Sequence, residues 1–390
     1  MQRKRIIVAS PVEPSGGSWL LNCLLELGIK IGHKPVVDKI WRGSNPRPGA
    51  EHIWIGKDGD RFELNPKAAV LMKFLPILTR QTSFVFRDDV EVEYVQDFPP
   101  RQSDNRQVVL MVRDPRDAMY SMYRRVEPEL SFDEFLRFPN PETLLDRTAH
   151  WALFIASWLA WPGVHVVRFE DYKRDAESTL GSVLRALDLN IDDECIAGAL
   201  DGSSFARAQE AERTFRERFP GDRQIANRAG QVGEGRSHPE VRALIPEMER
   251  AAAAVMNTLG YETQIERGDD AFAAARVAAR LLDFFAAHEI PAEIRALPVD
   301  IGASESFVFG LLSFAHRLDA AVVERAAMPP DEARRLHDSL AEFTRNYSAW
   351  VTHRLTSAGA AYADGSAYFF ERIREMRQSG KLASSRPPSS

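Results

Sequence analysis

Cysteine is scarce in this chain of 390 residues, which contains only Cys23 and Cys195. The two cysteines form no CxxC pair and have no metal-ligand spacing, which argues against a disulfide framework and against a structural metal site. Both lie among apolar residues in segments of helical character, so we expect two buried, unreactive thiols. Reduced thiols suit a reducing compartment, and we expect a cytoplasmic protein.

Long hydrophobic runs are also missing. The apolar stretch Trp151–Trp161 is much shorter than the ~20 residues that a membrane-spanning helix needs. The basic start of the chain is followed by an apolar run, 6–9, that is too short for a signal peptide. We therefore expect no membrane span.

An excess of positive charge is absent too, because the formal net charge is -6. This balance argues against a general nucleic-acid binder, although a local cluster of donors can still bind an anionic ligand. The nine histidines form no cluster with the spacing of metal ligands, so no metal is expected.

What the chain does contain is a globular composition, with 44% hydrophobic and 27% charged residues. Short β-branched runs predict buried strands, and segments of helical period separate them. This alternation predicts an α/β fold in which helices flank a parallel sheet, although it does not give the strand order. The predicted strands are Arg5–Ala9, Val90–Val95, Val108–Val112 and Val164–Phe169.

The character of the chain changes after a polar break at 265–270. We therefore expect an α/β domain over 1–264, an all-helical C-terminal domain or extension over 265–378, and a disordered tail over 379–390. The helical region could form an oligomerisation module, a lid over a substrate site or a partner-binding bundle. A homo-oligomer formed through these helices is one expectation.

The first segment with chemical character is the loop Ser10–Trp19, which joins a predicted strand to a predicted helix. Such a loop presents backbone N–H groups that suit a phosphate, and Gly16 and Gly17 let the backbone approach an anion closely. Many strand-to-helix turns carry Gly and Ser merely to turn, however. The loop is not a Walker A motif, because the first Gly and the Lys of that motif are missing, which argues against ATP hydrolysis.

Two further segments carry arginine and hydroxyl groups. Arg113–Ser121 runs from the end of a strand into a helix, where Asp114 can cap and Pro115 can occupy the first helical position. Asn227–Arg236 is basic, rich in Gly and loop-like. A helix cap with a solvated charged face and a flexible surface loop are the alternative interpretations. The place of Arg113 at the carboxyl end of a strand favours a ligand site.

Taken together, these segments resemble the motifs of sulfotransferases that use 3'-phosphoadenosine 5'-phosphosulfate (PAPS). Ser15–Trp19 is in register with the family's 5'-phosphosulfate loop P-K-S-G-T-T-W. Arg113–Ser121 matches every named position of the 3'-phosphate motif R-[ND]-P-[KR]-D-x-x-x-S. The late motif R-K-G-x-x-G-D-W-K is matched at Arg228, Gly230, Gly233 and Arg236. Val166–Asp171 is similar to a strand end of the family, with Phe169 where a tyrosine that contacts adenine is common.

The resemblance covers about residues 5–260 and implies a P-loop-kinase-like sulfotransferase fold with PAPS as the donor and no metal. Residues 15–18 would hold the 5'-phosphosulfate, and Arg113, Ser121 and Arg228 would hold the 3'-phosphate. The nucleotide-binding residues that the resemblance implies are Ser15, Gly16, Gly17, Ser18, Trp19, Arg113, Ser121, Phe169, Arg228 and Gly230.

Two positions depart from the family pattern. The loop usually carries a Lys or Arg before the Ser, but here Pro14 stands there and Glu13 precedes it. A carboxylate near a phosphosulfate is unfavourable unless it points away or is neutralised. Lys73 and Arg236 are the cations that could substitute for the missing one.

The second departure concerns the base that takes the acceptor proton, for which many family members use a His and some a Glu at a strand end. Asp97 is the candidate here, because it follows the predicted strand Val90–Val95. An aspartate that merely starts the turn before Pro99 is an equally good interpretation.

These observations leave more than one function open. An active sulfotransferase is the first hypothesis, and a catalytically inactive nucleotide-binding or interaction protein on the same fold is the second. A kinase-like phosphotransferase would need a loop Lys and a magnesium carboxylate, and no convincing pair is present. A carbohydrate, a glycolipid, a phenol or a peptide would each be a consistent acceptor.

Overall fold

Short runs of β-branched residues form one six-stranded sheet. The computed structural model describes residues 3–33, 53–55, 76–77, 86–96, 98–99, 106–126, 131–137, 146–218, 230–267, 271–272, 329–331, 334 and 338. The strands are β1 (Lys4–Ala9), β2 (Lys30–His33), β3 (Ile53–Ile55), β4 (Val90–Val95), β5 (Gln107–Val112) and β6 (Val164–Arg168). Their order in the sheet is β3-β2-β4-β1-β5-β6.

Helices follow or connect most of these strands. In chain order they are α1 (Gly17–Glu26), α2 (Pro115–Val126), α3 (Phe132–Arg137), α4 (Arg147–Leu159), α5 (Phe169–Arg174), α6 (Ala176–Ala186), α7 (Asp193–Gly202), α8 (Phe205–Arg218), α9 (Glu234–Ser237) and α10 (Pro239–Thr258).

The predicted parallel sheet flanked by helices is confirmed. β2, β4, β1, β5 and β6 are parallel neighbours, and only β3, at the edge, is antiparallel to β2. Neither β2 nor β3 was expected from the sequence. A capping box opens α3, because the Ser131 backbone N–H donates to the Glu134 carboxylate over 2.8 Å.

Both faces of the sheet are buried, because alternate strand residues point into two separate cores. Ile7, Val108 and Leu110 belong to the core that contains side chains of α4 and α10. Ile6 and Val8 belong to the core that contains side chains of α1 and α6. The expectation of two buried thiols is half wrong: Cys23 is buried in this second core, but Cys195 is exposed in the first turn of α7.

The strand register brings four chain segments to one edge of the sheet. Ala9 pairs with Val95, and Val112 pairs with Arg168, so the carboxyl ends of β1, β4, β5 and β6 lie together. Ligands of open α/β sheets bind at this edge. The residues that follow these strands are Ser10, Gln96, Arg113 and Phe169.

The predicted C-terminal helical region, 265–378, lies almost entirely outside the described residues, and the tail 379–390 lies wholly outside them. The domain boundaries therefore stay predictions. Within the part of the chain that the structure describes, no helix is long and apolar enough to span a membrane.

A buried ion pair joins α2 to α10. Arg116 Nη1 donates to Glu249 Oε1 over 2.8 Å, and the two side chains are 7% and 0% exposed. The same guanidinium donates to Asp114 Oδ2 over 2.6 Å and to the Glu262 carbonyl over 3.1 Å. The second oxygen of Glu249 accepts from the Gln264 backbone N–H over 2.7 Å. Both charges are therefore fully hydrogen-bonded, which is the condition under which a buried pair is tolerated.

We predict that Glu249→Ala lowers the free energy of unfolding by about 3–5 kcal/mol, because it leaves a buried arginine with one carboxylate fewer. Denaturant-induced unfolding followed by circular dichroism measures this change. Glu210→Ala is the control, since Glu210 pairs with Arg213 on the exposed surface of α8 and should contribute less than about 1 kcal/mol. Equal effects of the two substitutions would contradict the prediction.

Candidate functional site

Small residues allow the loop between β1 and α1 to pack tightly against its neighbours. Gly16 adopts a positive φ of 91° immediately before α1 begins at Gly17. A Cβ on Gly16 would lie 3.1 Å from the Phe169 ring, and one on Gly17 would lie 3.2 Å from the Tyr94 hydroxyl. The Oγ atoms of Ser10 and Ser15 lie 2.9 Å apart, which ties the start of the loop to its end. The amides of Gly17 and Ser18 precede the first bonds of α1, which Trp19 and Leu20 donate to the Gly16 carbonyl. Amides at the start of a helix point out of its N-terminus.

Three aromatic side chains stand beside this loop. Trp19, in the first turn of α1, stacks on Tyr172 with ring centroids 3.9 Å apart and an interplanar angle of 19°. Phe169 meets Tyr172 edge to face at 5.7 Å. Trp19 and Phe169 were expected at the site, whereas Tyr172 was not identified from the sequence. We call Trp19, Phe169 and Tyr172 the aromatic wall.

Arg113, at the end of β5, is only 2% exposed. Its guanidinium lies 4.4 Å from the centre of the Phe169 ring. Nη2 donates to the Gln231 carbonyl over 3.0 Å and Nη1 to the Pro14 carbonyl over 3.5 Å, while the buried Nε has no partner. No carboxylate of the described chain lies within 4 Å of this guanidinium. Burial lowers the pKa of Arg113. The nearby carboxylates of Asp117 and Glu170 act to raise it, but the effect of burial is larger.

Arg113 therefore brings the three predicted segments together. Pro14 belongs to the first segment and Gln231 to the third, and Arg113 itself begins the second. A Cβ on Gly230 would lie 3.2 Å from Arg113 Nη1 and 3.2 Å from the Phe169 ring, so this glycine allows the third segment to approach. The result is a buried cation with an unused donor, a group that can bind an anion.

Asp117 holds the third segment against α2. Its carboxylate accepts from the Gly233 backbone N–H over 2.8 Å and from the Arg236 backbone N–H over 2.9 Å. The segment was expected to be a loop, but its end forms the single-turn helix α9, which this remote carboxylate caps. A Cβ on Gly235 would lie 2.6 Å from the Arg116 carbonyl, so the two backbones approach as closely as a glycine permits.

Arg236 cannot serve as a free cation for the loop. Its guanidinium lies 3.3 Å from Asp114 Oδ2 and 3.4 Å from Asp117 Oδ2. Two buried carboxylates therefore already compensate its charge. Lys73, the other substitute considered from the sequence, lies outside the described residues.

The remaining predicted residues divide into two groups. Ser15 is buried, Ser18 is half-buried in the first turn of α1, and Ser121 is half-buried on α2. Asp97 and Arg228 lie outside the described residues, so the predicted base and one predicted phosphate ligand have no observed position. The roles of all these residues stay predictions.

A second group of charges combines Glu13 of the loop, which the sequence already showed, with two arginines that were not identified from the sequence. Glu13 is 3% exposed, and its Oε2 has no hydrogen-bond partner. Burial raises the pKa of Glu13, while the charges of Arg147 and Arg125 and its own backbone N–H act to lower it. No carboxylate among the described residues lies within 4 Å of either guanidinium. We call Glu13, Arg125 and Arg147 the Glu13 cluster.

His150 lies one turn after Arg147 on α4 and meets Phe98 edge to face at 5.6 Å. Burial, with a further contribution from the Arg147 charge, lowers the pKa of His150 from 6.5 to about 3. The imidazole therefore stays neutral near neutral pH, and among the described residues Arg125 and Arg147 are the cations that act on Glu13.

We predict that His150 makes folding sensitive to acid. The unfolded chain protonates this histidine near pH 6.5, whereas the folded protein does so only near pH 3. The unfolded state binds more protons between these values, so this contribution to stability is lost as the pH falls, by up to about 1.4 kcal/mol per pH unit. Urea unfolding at several pH values should show a shallower acid loss for His150→Gln than for the parent. An unchanged slope would contradict the prediction.

Comparisons with known proteins bear on the identity of this site. The family model described as "Sulfotransferase domain" matches residues 95–238. None of the curated proteins matches the chain. Among solved structures, a mouse sulfotransferase, SULT7A1, complexed with PAP is 16% identical with a TM-score of 0.39, over 67% of this chain and 88% of that chain.

A retinol dehydratase in complex with androsterone and the inactive cofactor PAP is 15% identical with a TM-score of 0.40, over 68% of this chain and 84% of that chain. The same type of enzyme with retinol and PAP gives 15% identity, a TM-score of 0.41 and the same coverage. The family match includes Arg113–Ser121, Phe169 and all of the third segment, although the loop 10–19 precedes it. The resemblance drawn from these motifs is confirmed over residues 95–238, which match the sulfotransferase domain.

Proposed function

We propose that the protein transfers a sulfuryl group from PAPS to a hydroxyl or amine of an acceptor. The observation that carries this proposal is the buried guanidinium of Arg113, which has an unpaired Nε and no carboxylate within 4 Å among the described residues. A buried charge without a counterion is costly, and an anionic ligand would remove that cost. The sulfotransferase family match covers this residue.

The 3'-phosphate is the anion that fits Arg113. A guanidinium binds phosphate through charge-assisted and often bidentate hydrogen bonds. Ser121 on α2 and Arg228 are the further donors that the motif assigns to this phosphate. The aromatic wall offers the adenine base a surface of rings, of which Phe169 lies 4.4 Å from the Arg113 guanidinium.

The N-terminus of α1 suits the 5'-phosphosulfate. Backbone N–H groups of residues 15–18 and the positive end of the helix dipole favour an anion, and Gly16 keeps the approach free of a side chain. PAPS supplies the activated sulfuryl group on a phosphate leaving group. The residues of the loop would hold that phosphate in line with the acceptor and stabilise the charge that develops on it, which is where chemistry of this type gains its rate.

The acceptor is part of the proposal only as a chemical class. A carbohydrate or glycolipid hydroxyl, a phenol and a peptide each fit a hydroxyl or amine nucleophile. The cytoplasmic location and a homo-oligomer formed through the C-terminal helices also stay predictions.

We predict that 3'-phosphoadenosine 5'-phosphate (PAP) binds the parent protein and that Arg113→Ala weakens this binding by about 10- to 150-fold. A hydrogen bond to a charged group contributes about 1.5–3 kcal/mol, which corresponds to this range. Isothermal titration calorimetry measures the dissociation constants. Arg113→Lys keeps the charge but loses the planar fork, and should fall between the parent and Arg113→Ala.

Arg213→Ala on α8 is the control, because Arg213 is an exposed arginine that pairs only with Glu210 among the described residues. It should bind PAP like the parent. A well-folded parent that does not bind PAP would contradict the proposal. Binding of PAP without any consumption of PAPS would instead favour the inactive nucleotide-binding protein.

A second prediction concerns Gly230. Gly230→Ala should weaken PAP binding by about tenfold, because the added methyl group would lie 3.2 Å from Arg113 Nη1 and displace it. Gly198→Ala on α7 is the matched control, since a Cβ there meets nothing within 4 Å. Calorimetry with PAP tests both variants, and equal affinities would show that Gly230 does not position Arg113 for the ligand.

A further inference from the structure

Glu13 is a buried carboxylate whose hydrogen bonding is incomplete. It is 3% exposed, and Oε2 has no partner among the described residues. No cation of the described chain lies within 4 Å of it. Because buried polar atoms are nearly always hydrogen-bonded in native proteins, an orphaned carboxylate oxygen needs an explanation. One explanation is that a bound ligand supplies the missing hydrogen-bond donor.

The position of Glu13 indicates which ligand would bring that donor. Glu13 lies two positions before Ser15, a backbone span of at most about 7 Å, and Ser15 begins the segment proposed to hold the phosphosulfate. The loop lies at the carboxyl end of β1, and the Gln96 side chain at the end of β4 donates to the Pro11 carbonyl over 3.4 Å. If the loop holds the phosphosulfate as proposed, Glu13 lies within two positions of the donor's reactive end, which the acceptor must approach.

We propose that Glu13 is the catalytic base that takes the proton of the acceptor, an inference that rests on the proposed sulfuryl transfer. The acceptor oxygen or nitrogen forms a bond to sulfur while the bond between sulfur and the bridging oxygen of the 5'-phosphate breaks. The electron pair of that bond leaves with PAP, and the proton of the acceptor moves to Glu13 Oε2. Atoms and charge balance without any further reactant.

The surroundings of Glu13 suit this role. Arg125 from the last turn of α2 and Arg147 from the first turn of α4 are the cations that favour the ionised carboxylate. Tyr94 from β4 stays neutral because burial raises its pKa, and His150 stays neutral because burial lowers its pKa to about 3. Burial at the same time raises the proton affinity of Glu13, which is what an effective base near neutral pH requires.

The Glu13 cluster also favours Glu13 over Asp97, the base predicted from the sequence. Arg147 Nε donates to the Phe135 carbonyl over 2.9 Å, and its guanidinium lies 4.1 Å from the centre of the Phe135 ring, so this cation is held in place. A base whose charge is stabilised by fixed cations is preorganised for proton transfer. Asp97 lies outside the described residues and offers no such observation.

The experiment compares Glu13→Gln, Glu13→Asp and Asp97→Asn with the parent protein. Consumption of radiolabelled PAPS is measured with p-nitrophenol, methyl glucoside, tyramine and water as acceptors, and the best of them is used for pH–rate profiles. Glu13→Gln should lower kcat by about 10²–10⁴-fold and abolish the acidic limb of the profile. Its PAP affinity should stay within about twofold of the parent, since the nucleotide contacts are unchanged. Glu13→Asp should recover part of the rate, and Asp97→Asn should keep most of it.

A Glu13→Gln variant that retains the parent's kcat and acidic limb would overturn the proposal, as would loss of that limb in Asp97→Asn alone. A parent that binds PAP but does not consume PAPS with any of the four acceptors, water included, would refute the proposed function. It would refute the assignment of the base at the same time. If Glu13→Gln does not fold, Arg147→Gln replaces it. Loss of that charge should raise the pKa of Glu13 and shift the acidic limb to higher pH, and an unmoved limb would refute the assignment.

Discussion

A guanidinium that is buried without a nearby carboxylate must replace its lost water with dipoles and rings. At Arg113 these are the carbonyls of Pro14 and Gln231 and the face of the Phe169 ring. They come from three separate segments, and Pro14 and Gln231 are more than two hundred residues apart in the chain. Satisfying one charge therefore fixes the first loop, the end of β6 and the third segment relative to one another. It also explains why glycine occupies position 230, where a side chain would touch the guanidinium.

In the motif that begins at Arg113, some residues face the proposed ligand site and others hold the surrounding segments together. Arg113 faces the site, whereas Asp114 and Arg116 turn into the protein and connect α2 to α10 through Glu249. Asp117 caps the single-turn helix α9 with both of its oxygens. The backbone of the third segment is thus placed by the residues that follow the ligand-binding arginine. Loss of any of them would disturb the site from a distance, without removing a contact to the ligand.

How far the sequence predicts this structure depends on how local each signal is. The β-branched runs predict β1, β4, β5 and β6 within a residue or so, because burial on both faces leaves a continuous apolar run. The helix α10 was not recognised: Pro246 in its interior argues against a helix, although Pro239 at its start favours one. The antiparallel edge strand β3 and the exposure of Cys195 depend on tertiary packing, which no local period encodes. Arg125 and Arg147 were not linked to Glu13 for the same reason, since both lie more than a hundred residues after it in the chain.

The departure at Pro14 acquires a physical meaning from that cluster. The loop lacks the cation that related motifs carry, and it adds a carboxylate at Glu13, so from the sequence alone it looks unfit for an anionic donor. The fold supplies Arg125 and Arg147 from α2 and α4, and the charges of both act on the Glu13 carboxylate. Among the described residues of this region, His150 and Tyr94 add no charge, because burial lowers the pKa of His150 to about 3 and raises that of Tyr94. The positive charge that the loop sequence lacks is therefore supplied by the tertiary structure. The cations come from α2 and α4, and their charges also act on the Glu13 carboxylate.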